Sequence, residues 1–511
     1  MSLPNRHNPY RFDPYLERRA KIDYYADDPF LQQVVRHFAK SDFARIDAAA
    51  RAVSQKASYR WRDLADAMAR LEQRPTLQTW DAHHRRVDRV LRPAEALTLE
   101  SEVFSEGLFS KRTDPLTRIV KMFLIYENGE ACTACPLVCT EGMVAVLDAH
   151  AESAEAKAIL EHVKEGRDGR FGVGAQFLSE IQGGSDVPAN VCEAALEDGA
   201  WRLFGTKFFC SVAHADYAVV TAKPRGSEAV GLFVAPLWQP GHENQRRNGL
   251  TVDRLKWKMG TCELPTAEMT FDGAVAYPVG PLDRGLANVV GVVLTLSRLT
   301  VGIASAASMR RAAREAAVYA EFREAFGQRL TGFPMVQAQL ADMDRASRRT
   351  TAGAFKIHHA FHAPDKDERR TLEARELVML QKFASSEDST ETIREAMAIF
   401  GGHGVMEDFS CLPRLFRDSA VNELWEGPRN VLLAQIHRDL HRASRKLAPR
   451  EFVTGLLRGA DAGVVAPLAA TFEELVPLEA LPIEACRRWD QACRALVHAY
   501  QDVALAEVEA S

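Results

Sequence analysis

Glu426 stands where a carboxylate could act as a base. It lies in Leu424-Trp-Glu-Gly-Pro-Arg-Asn430, directly before Gly427 and a probable helix start. A carboxylate there can cap the helix, remain in solvent or, where it is buried, remove a proton from a substrate. Considered alone, the segment favours the capping or solvated role.

A glycine-rich loop suggests ligand binding. In Phe177-Leu-Ser-Glu-Ile-Gln-Gly-Gly-Ser-Asp-Val187, two glycines, hydroxyls and acids follow closely. Such a loop can bring backbone N–H groups to a flat or phosphorylated ligand, although Gly-Gly-Ser-Asp is usually a plain turn. In the next strand pair, alternation predicts Phe208 and Phe209 on opposite faces, one of which could meet an aromatic cofactor. Taken alone, Phe209 is more commonly a core residue.

Further candidates lie in the helical half and in a cysteine cluster. The segment 319–328 ends a long predicted helix with Arg323 one turn before its close, where an arginine can cap carbonyls, pair with an acid or clamp a diphosphate. Another helix stops at Gly401-Gly402. No second cysteine pair with zinc-finger spacing follows the cluster, so buried free thiols and no metal are expected at Cys132, Cys135 and Cys139.

The composition limits the class of protein. The 511 residues are 47% hydrophobic and 26% charged, an ordinary balance for a folded chain of several domains. Lys plus Arg number 64 against 69 for Asp plus Glu, and the net charge of −5 implies no chain-wide polyanion-binding surface. The dense basic run lies at Arg438, Arg442, Arg445, Lys446 and Arg450.

Neither export nor a membrane span is expected. The first eleven residues are polar, whereas a secretory signal needs an apolar stretch. The most apolar stretch, 286–296, is interrupted by Asn288 and is shorter than the roughly 20 residues of a span. Nine cysteines form an odd, sparse set that suits reduced thiols. These features favour a cytoplasmic protein.

The elements that must position these residues fall into blocks. Mixed helices precede residue 165, short strands between turns occupy 170–281, and long helices follow. One helix runs from 286 to 326, a second can begin at Pro334, and a third extends from about Leu372 to Phe400. The predicted domains are a helical domain at 1–165, an antiparallel β domain at 166–285, a helical bundle at 286–445 and a partly helical, acidic tail at 446–511.

In this order the motifs resemble those of the acyl-CoA dehydrogenase family. The resemblance spans about 136–437. Within the family, the motifs match best those of the alkylation-response, AidB-like branch. It rests on the Ser179-Glu180 to Asp186-Val187 loop, Lys207-Phe-Phe-Cys-Ser211, Lys258-Met-Gly260, Tyr319 to Gly327, Gln337, Gly401-Gly-x-Gly404 and Trp425-Glu-Gly427. The early segment Trp80-Asp-Ala-His-His-Arg-Arg-Val87 also fits that branch.

The resemblance implies an α+β multidomain fold: an N-terminal helical domain, a middle antiparallel β barrel and a C-terminal four-helix bundle, with FAD as cofactor. Residues implied to line the flavin and its diphosphate are Ser179, Gly184 and Ser185. Those implied beside the isoalloxazine are Phe209 and Ser211. The adenine-diphosphate half of FAD in a neighbouring subunit would be bound by Arg323, Gln337, Gly401 and Gly402. A homo-oligomer, with a tetramer favoured, is therefore part of the expectation.

The resemblance also assigns Glu426 as the catalytic base of an acyl-CoA dehydrogenase. The base would remove the α-proton of an acyl-CoA thioester, and the β-hydride would move to flavin N5 to give a 2,3-enoyl-CoA. Some relatives carry the base beside the residue that matches Arg298, where this chain has Ser297. Pro428 removes an N–H near the cofactor. An electron-transfer flavoprotein is the implied acceptor. The alternative is an AidB-like, DNA-associated flavoprotein of alkylation stress with little turnover.

Overall fold

The computed structural model describes residues 10–364 and 367–511. Residues 1–9, on which much of the expectation about export rests, lie outside the described residues. The N-terminal region is helical, with α1 (Asp13–Ala20), α2 (Pro29–Ala39), α3 (Phe43–Gln55), α4 (Arg62–Met68), α5 (Ala94–Phe104), α6 (Pro115–Tyr126), α7 (Ala134–His150) and α8 (Ala154–Glu165).

A β-hairpin interrupts this block, for which mostly helices were predicted. Strands β1 (Thr76–Trp80) and β2 (Arg86–Leu91) pair antiparallel with an irregular register before Trp80. The carboxylate of Asp81 accepts hydrogen bonds from the N–H groups of His83 and Arg85 at 2.8 and 3.0 Å. This side chain closes the turn, because an aspartate can bond its own backbone two residues on.

The middle region forms a closed barrel. Its strands are β3 (Gly174–Phe177), β4 (Glu193–Glu197), β5 (Ala200–Ser211), β6 (Tyr217–Pro224), β7 (Gly231–Pro236), β8 (Leu250–Leu255) and β9 (Thr266–Pro278). The path β6-β4-β5-β9-β7 closes through pairing of β7 with β6, and β8 pairs with β9. Most pairs are antiparallel as expected, but β3 and β4 lie parallel to β6. The predicted architecture of helices, barrel and helices is confirmed.

Long helices make up the C-terminal part. They are α9 (Gly285–Asn288), α10 (Leu294–Phe322), α11 (Pro334–Phe361), α12 (Glu368–Phe400), α13 (Leu412–Asn422), α14 (Arg429–Ala443), α15 (Pro449–Leu456), α16 (Ala462–Leu475) and α17 (Ile483–Glu509). A π-helical turn (Val289–Val293) joins α9 to α10. Helices α10, α11 and α12 pack side by side, and α17 packs against α11 and α12. The tail thus supplies a long helix to the bundle.

Helix α10 ends four residues before the predicted Phe326. Arg323 is its C-cap residue, with φ −70° and ψ 129°, and not a residue one turn inside the helix. A small hairpin follows, formed by β10 (Glu324–Ala325) and β11 (Gln328–Arg329). Phe326 and Gly327 have φ of +50° and +81°, so a left-handed turn ends the helix there.

By length and composition the helical segment 285–322 could cross a membrane, whereas the shorter stretch around Asn288 predicted no span. However, 72% of its most apolar window is buried inside the protein. The segment is the central helix of the bundle, where alanines, glycines and small hydroxyl residues allow close packing against α11 and α12.

Candidate active site

The loop between α13 and α14 holds Glu426 in an unusual conformation. Glu426 has φ +58° and Gly427 has φ +100°, both in the left-handed region that a non-glycine residue rarely adopts. Pro428 follows as the N-cap residue of α14, with φ −68° and no side-chain cap. Two successive residues with left-handed φ therefore precede α14, whose N-cap residue makes no side-chain cap.

Glu426 is half-buried as a residue, but one oxygen of its carboxylate is buried and unpaired. Among the described residues, its Oε2 has no hydrogen-bond partner and almost no exposed surface. Burial raises the pKa of Glu426 above its usual value, while the positive charges of Arg298 and Lys382 oppose that rise. A buried carboxylate with a free oxygen and a raised pKa has the properties required of a general base.

Two buried cations hold the backbone of this loop. Arg298 on α10 donates from Nε to the carbonyl oxygen of Glu426 at 2.9 Å. Lys382 on α12 donates from Nζ to the carbonyl oxygens of Glu423 and Gly427 at 3.1 and 2.8 Å. Sequence reasoning missed Lys382, although a single lysine between buried neighbours in the middle of a long helix was a usable signal.

Ser297, the neighbour of Arg298, is occupied structurally. Its hydroxyl donates to the carbonyl oxygen of Val293 at 3.1 Å and accepts from Gln176 Nε2 at 3.4 Å. Gln176 belongs to β3, three residues before Ser179. Helix α10 therefore contacts both the Glu426 loop and the barrel strand that leads into the glycine-rich loop.

A buried ion pair secures the glycine-rich loop. Glu180 Oε1 accepts from Lys207 Nζ at 2.7 Å, and both side chains are essentially unexposed. Glu180 also accepts from the N–H groups of Val191 and Cys192. At the loop tip Gly184 and Ser185 are exposed, and a Cβ added at Gly184 would meet no atom within 4 Å. The loop thus presents open backbone on a rigid base, with Ser179 half-buried at its start.

The two phenylalanines of β5 do not lie on opposite faces as predicted. The pairing of β5 with β9 shifts register between Lys207 and Cys210, which is a β-bulge. The rings of Phe208 and Phe209 lie 5.2 Å apart, and Lys256 Nζ stands 3.4 and 4.5 Å from their centroids. Phe209 is 51% exposed, so it is not a core residue.

A hydroxyl chain continues from this edge. The hydroxyls of Ser211 and Thr266 lie 3.1 Å apart, and Lys258 Nζ donates to Thr266 Oγ1 at 2.9 Å. In the same turn, the N–H of Thr261 donates to Asp418 of α13 at 2.7 Å. Since α13 leads into the Glu426 loop, the barrel edge and that loop belong to one connected region.

The remaining candidate residues lie elsewhere, at the far end of the bundle. Tyr319, one turn before Arg323, bonds His403 in the turn Gly401–Val405 at 2.9 Å, and Gln337 donates to the carbonyl oxygen of Thr331. Arg323 lies 25 residues beyond Arg298, about 37 Å along the helix at 1.5 Å per residue. The structure therefore separates Arg323, Gln337, Gly401 and Gly402 from the other candidate residues.

The residues present fit a flavin dinucleotide. An exposed phenyl ring beside a half-buried hydroxyl, at Phe209 and Ser211, suits a flat aromatic ring. A Cβ at Gly401 or Gly402 would meet nothing within 4 Å, so the backbone there is open to a ligand, as it is at Gly184. Open glycine backbones of this kind suit a diphosphate.

The cysteine cluster divides in two. Cys135 and Cys139 contact each other at 3.7 Å, whereas Cys132 lies with Glu100 and His214 in a group whose ligand atoms are within 4.8 Å of one another. The guanidinium of Arg92 makes two hydrogen bonds to Glu100 and one to Cys132. This arginine neutralises the carboxylate that a metal ion would need. All nine cysteines are free thiols.

The tail packs behind the Glu426 loop. Trp489 of α17 donates from Nε1 to the carbonyl oxygen of Leu433 at 3.0 Å, and Arg429 pairs with Asp490. A cavity of about 820 Å³ lies between α14 and α17, with Leu424 and Pro428 of the loop in its wall. Helix α17 therefore buttresses the helix that begins just after the carboxylate.

The basic run is partly neutralised. Lys446 pairs with Glu368, and Arg450 makes two hydrogen bonds to Glu473. Within the described part of the chain, three cations of this run form no ion pair and could meet an outside partner: Arg438, Arg442 and Arg445.

Three family models match successive parts of the chain. Residues 16–167 match the adaptive response protein AidB N-terminal domain, 175–274 the acyl-CoA dehydrogenase middle domain, and 283–441 the acyl-CoA dehydrogenase C-terminal domain. The barrel and the helices that hold Glu426 thus lie within ranges that match one family.

Two curated relatives and one solved structure resemble the chain over most of its length. Acyl-CoA dehydrogenase family member 11 of Caenorhabditis elegans is 29% identical over 460 residues, covering 85% of this chain and 71% of the relative. Putative acyl-CoA dehydrogenase AidB of Escherichia coli is 29% identical over 390 residues, covering 72% and 69%. The structure of Caenorhabditis elegans ACDH-11 in complex with C11-CoA has a TM-score of 0.79 at 22% identity, covering 96% of this chain and 91% of that chain.

Proposed function

Because the chain belongs to the acyl-CoA dehydrogenase family of FAD-dependent oxidoreductases, with an AidB-type N-terminal domain, we propose that it oxidises an acyl-CoA thioester to the 2,3-enoyl-CoA. The observation that carries this proposal is the buried, unpaired oxygen of Glu426 on a loop held by two cations. That arrangement suits abstraction of a proton from carbon.

Glu426 takes the proton from the carbon α to the thioester carbonyl. Burial raises the pKa of Glu426 towards the operating pH, where a general base is most effective. Burial of the carboxylate oxygen also keeps water from competing with the substrate. The hydride that leaves the β-carbon would go to FAD, which would supply the electron acceptor when it is bound. Ser179, Gly184, Ser185, Phe209 and Ser211 would hold it along the barrel edge.

Arg323, Gln337, Gly401 and Gly402 would bind the adenine-diphosphate half of FAD in a neighbouring subunit. Arg323 lies about 37 Å along α10 from Arg298, which bonds the Glu426 loop, and this separation favours binding of that half of FAD by a different subunit. Large apolar side chains are exposed around them, including Phe326 at 98%, Met335 at 75% and Val405 at 71%. Such a patch supports a homo-oligomer, which we propose to be a tetramer.

The experiment is an anaerobic titration of the FAD-loaded protein with short, branched, cyclic, aromatic and longer acyl-CoAs, followed by flavin absorbance. We expect at least one acyl-CoA to bleach the wild-type flavin. Glu426→Gln should keep its yellow colour and lose bleaching, whereas Glu391→Gln, which alters an exposed acid of α12, should reduce normally. Reduction of Glu426→Gln at the wild-type rate would refute the role of this carboxylate.

Partners are tested separately. We propose an electron-transfer flavoprotein as the electron acceptor, to be compared with oxygen in reoxidation of the reduced protein. Because the N-terminal region matches the AidB domain, DNA binding is tested as well. Salt-dependent retention of the protein on DNA is measured for wild type and for a triple variant in which Arg438, Arg442 and Arg445 are changed to Gln. Strong retention that the triple variant loses, without bleaching by any acyl-CoA, would favour the DNA-associated alternative.

A further inference from the structure

Lys382 is a buried cation close to Glu426 with no ordinary partner. Its side chain is 0% exposed, and its Nζ donates to two backbone carbonyls. Among residues 10–364 and 367–511, no carboxylate oxygen lies within 4.0 Å of this nitrogen. Most lysines in proteins remain in solvent, so this placement requires an explanation.

The burial of this ammonium opposes stability. Burial lowers the pKa of Lys382 to about 7, and Arg298 adds to that fall, while the charges of Glu426 and Glu423 oppose it. A methionine of similar length would fill the same space without a desolvation cost. The benefit of the ammonium is therefore to be sought in the two carbonyls that it binds.

Those carbonyls lie on either side of the base. Glu423 is three residues before Glu426 and Gly427 is one residue after it, so one nitrogen joins both arms of the loop. Arg298 holds the carbonyl of Glu426 itself. Since Glu426 and Gly427 have left-handed φ angles, the loop would relax if these bonds were absent.

We propose that Lys382 is a positioning residue for the general base: by bonding both arms of the loop it fixes the direction of the Glu426 carboxylate. The inference rests on the proposed function of Glu426. The positive charge of Lys382, together with that of Arg298, also favours the ionised form of the Glu426 carboxylate. Lys382 itself touches neither the cofactor nor the substrate in this role.

The test compares Lys382→Met and Lys382→Gln with wild type in the FAD-loaded protein. Stopped-flow reduction by an acyl-CoA that bleaches the wild type gives the rate, and its concentration dependence gives the dissociation constant. We expect the reduction rate to fall by roughly 100-fold in Lys382→Met, the size of a misplacement of about 1 Å, with the dissociation constant within about 3-fold. Lys382→Gln, which keeps an uncharged N–H donor group, should lose less.

The pH profile separates positioning from general damage. The charged groups that face Lys382 are Arg298, Glu423 and Glu426. Without the ammonium, the Glu426 carboxylate loses a positive charge that stabilises its ionised form, so the apparent pKa for flavin reduction should rise. A structural lesion would lower the rate without moving that pKa. Lys446→Met, which removes an exposed cation on the tail side, should match wild type in rate and profile.

The outcomes are distinct. A reduction rate within 3-fold of wild type in Lys382→Met, while Glu426→Gln is inactive, overturns this inference and leaves the proposed function standing. Wild-type reduction in Glu426→Gln overturns both. Should Lys382→Met fail to hold FAD, Lys382→Gln decides: a wild-type rate and apparent pKa in that variant count against the positioning role.

Discussion

Replacing Lys207 with methionine should loosen the glycine-rich loop and weaken FAD binding. Lys207 Nζ bonds Glu180 at 2.7 Å, Thr221 Oγ1 at 3.1 Å and the carbonyl oxygen of Leu178 at 3.5 Å. Methionine keeps most of the volume and removes all three bonds. Glu180 would then be a buried carboxylate that retains only the N–H donors of its own loop.

The size of the effect follows from this burial. Removing one partner of a buried ion pair costs about 3–5 kcal/mol, because an uncompensated charge remains. If the whole of that cost falls on the loop that binds the cofactor, it corresponds to a loss in FAD affinity of about 100- to 4000-fold, at about 1.4 kcal/mol per factor of ten. The double variant Glu180→Gln, Lys207→Met should recover much of the loss, since it leaves no buried charge.

FAD titration of the apoprotein by flavin fluorescence measures the affinity. The N–H groups of Val191 and Cys192 donate hydrogen bonds to Glu180, so hydrogen exchange at these two amides reports whether the loop has opened. Lys111→Met is the control, because the Lys111–Glu161 pair is 64% and 57% exposed and such exposed pairs contribute little to stability. Equal affinities for Lys207→Met and Lys111→Met would refute the reasoning.

Two further predictions concern assembly and pH. Phe326→Glu replaces a ring that is 98% exposed with a charged side chain, so we expect smaller oligomers in light scattering and weaker FAD retention. An unchanged mass would contradict the proposed interface. The pKa of Glu426 is raised by burial, and its active form is the carboxylate, so kcat/KM should increase with pH through an apparent pKa above the usual 4.5. An acid limb at or below 4.5 would indicate that another group limits the reaction.

Local signals predicted much of the helical architecture, and contacts distant in sequence account for the rest. Pro334 begins α11 and Gly401 follows the end of α12, as expected from residues that favour those positions. The bulge that turns Phe208 and Phe209 to one side depends on pairing with a strand almost 60 residues later. No local pattern contains that register.

The candidate site shows the same division. The position of Glu426 followed from the order of motifs in the sequence, but its left-handed backbone and buried oxygen depend on tertiary contacts. The place of Lys382 in the middle of a long helix was a signal of burial, but its acceptors are carbonyls 41 and 45 residues away. Since every residue has a backbone carbonyl, the sequence does not indicate which of them will accept a hydrogen bond from a distant side chain.

The packing of α17 against α14 bears on how the protein can be divided for study. An expression fragment trimmed after residue 445 would contain every candidate site residue, yet it would leave the Leu433 carbonyl and the Arg429 guanidinium facing water instead of Trp489 and Asp490. The apolar faces of α12 and α14 that the tail covers would be laid bare as well. Such a fragment should aggregate, so the smallest unit fit for enzymology extends to the last helix.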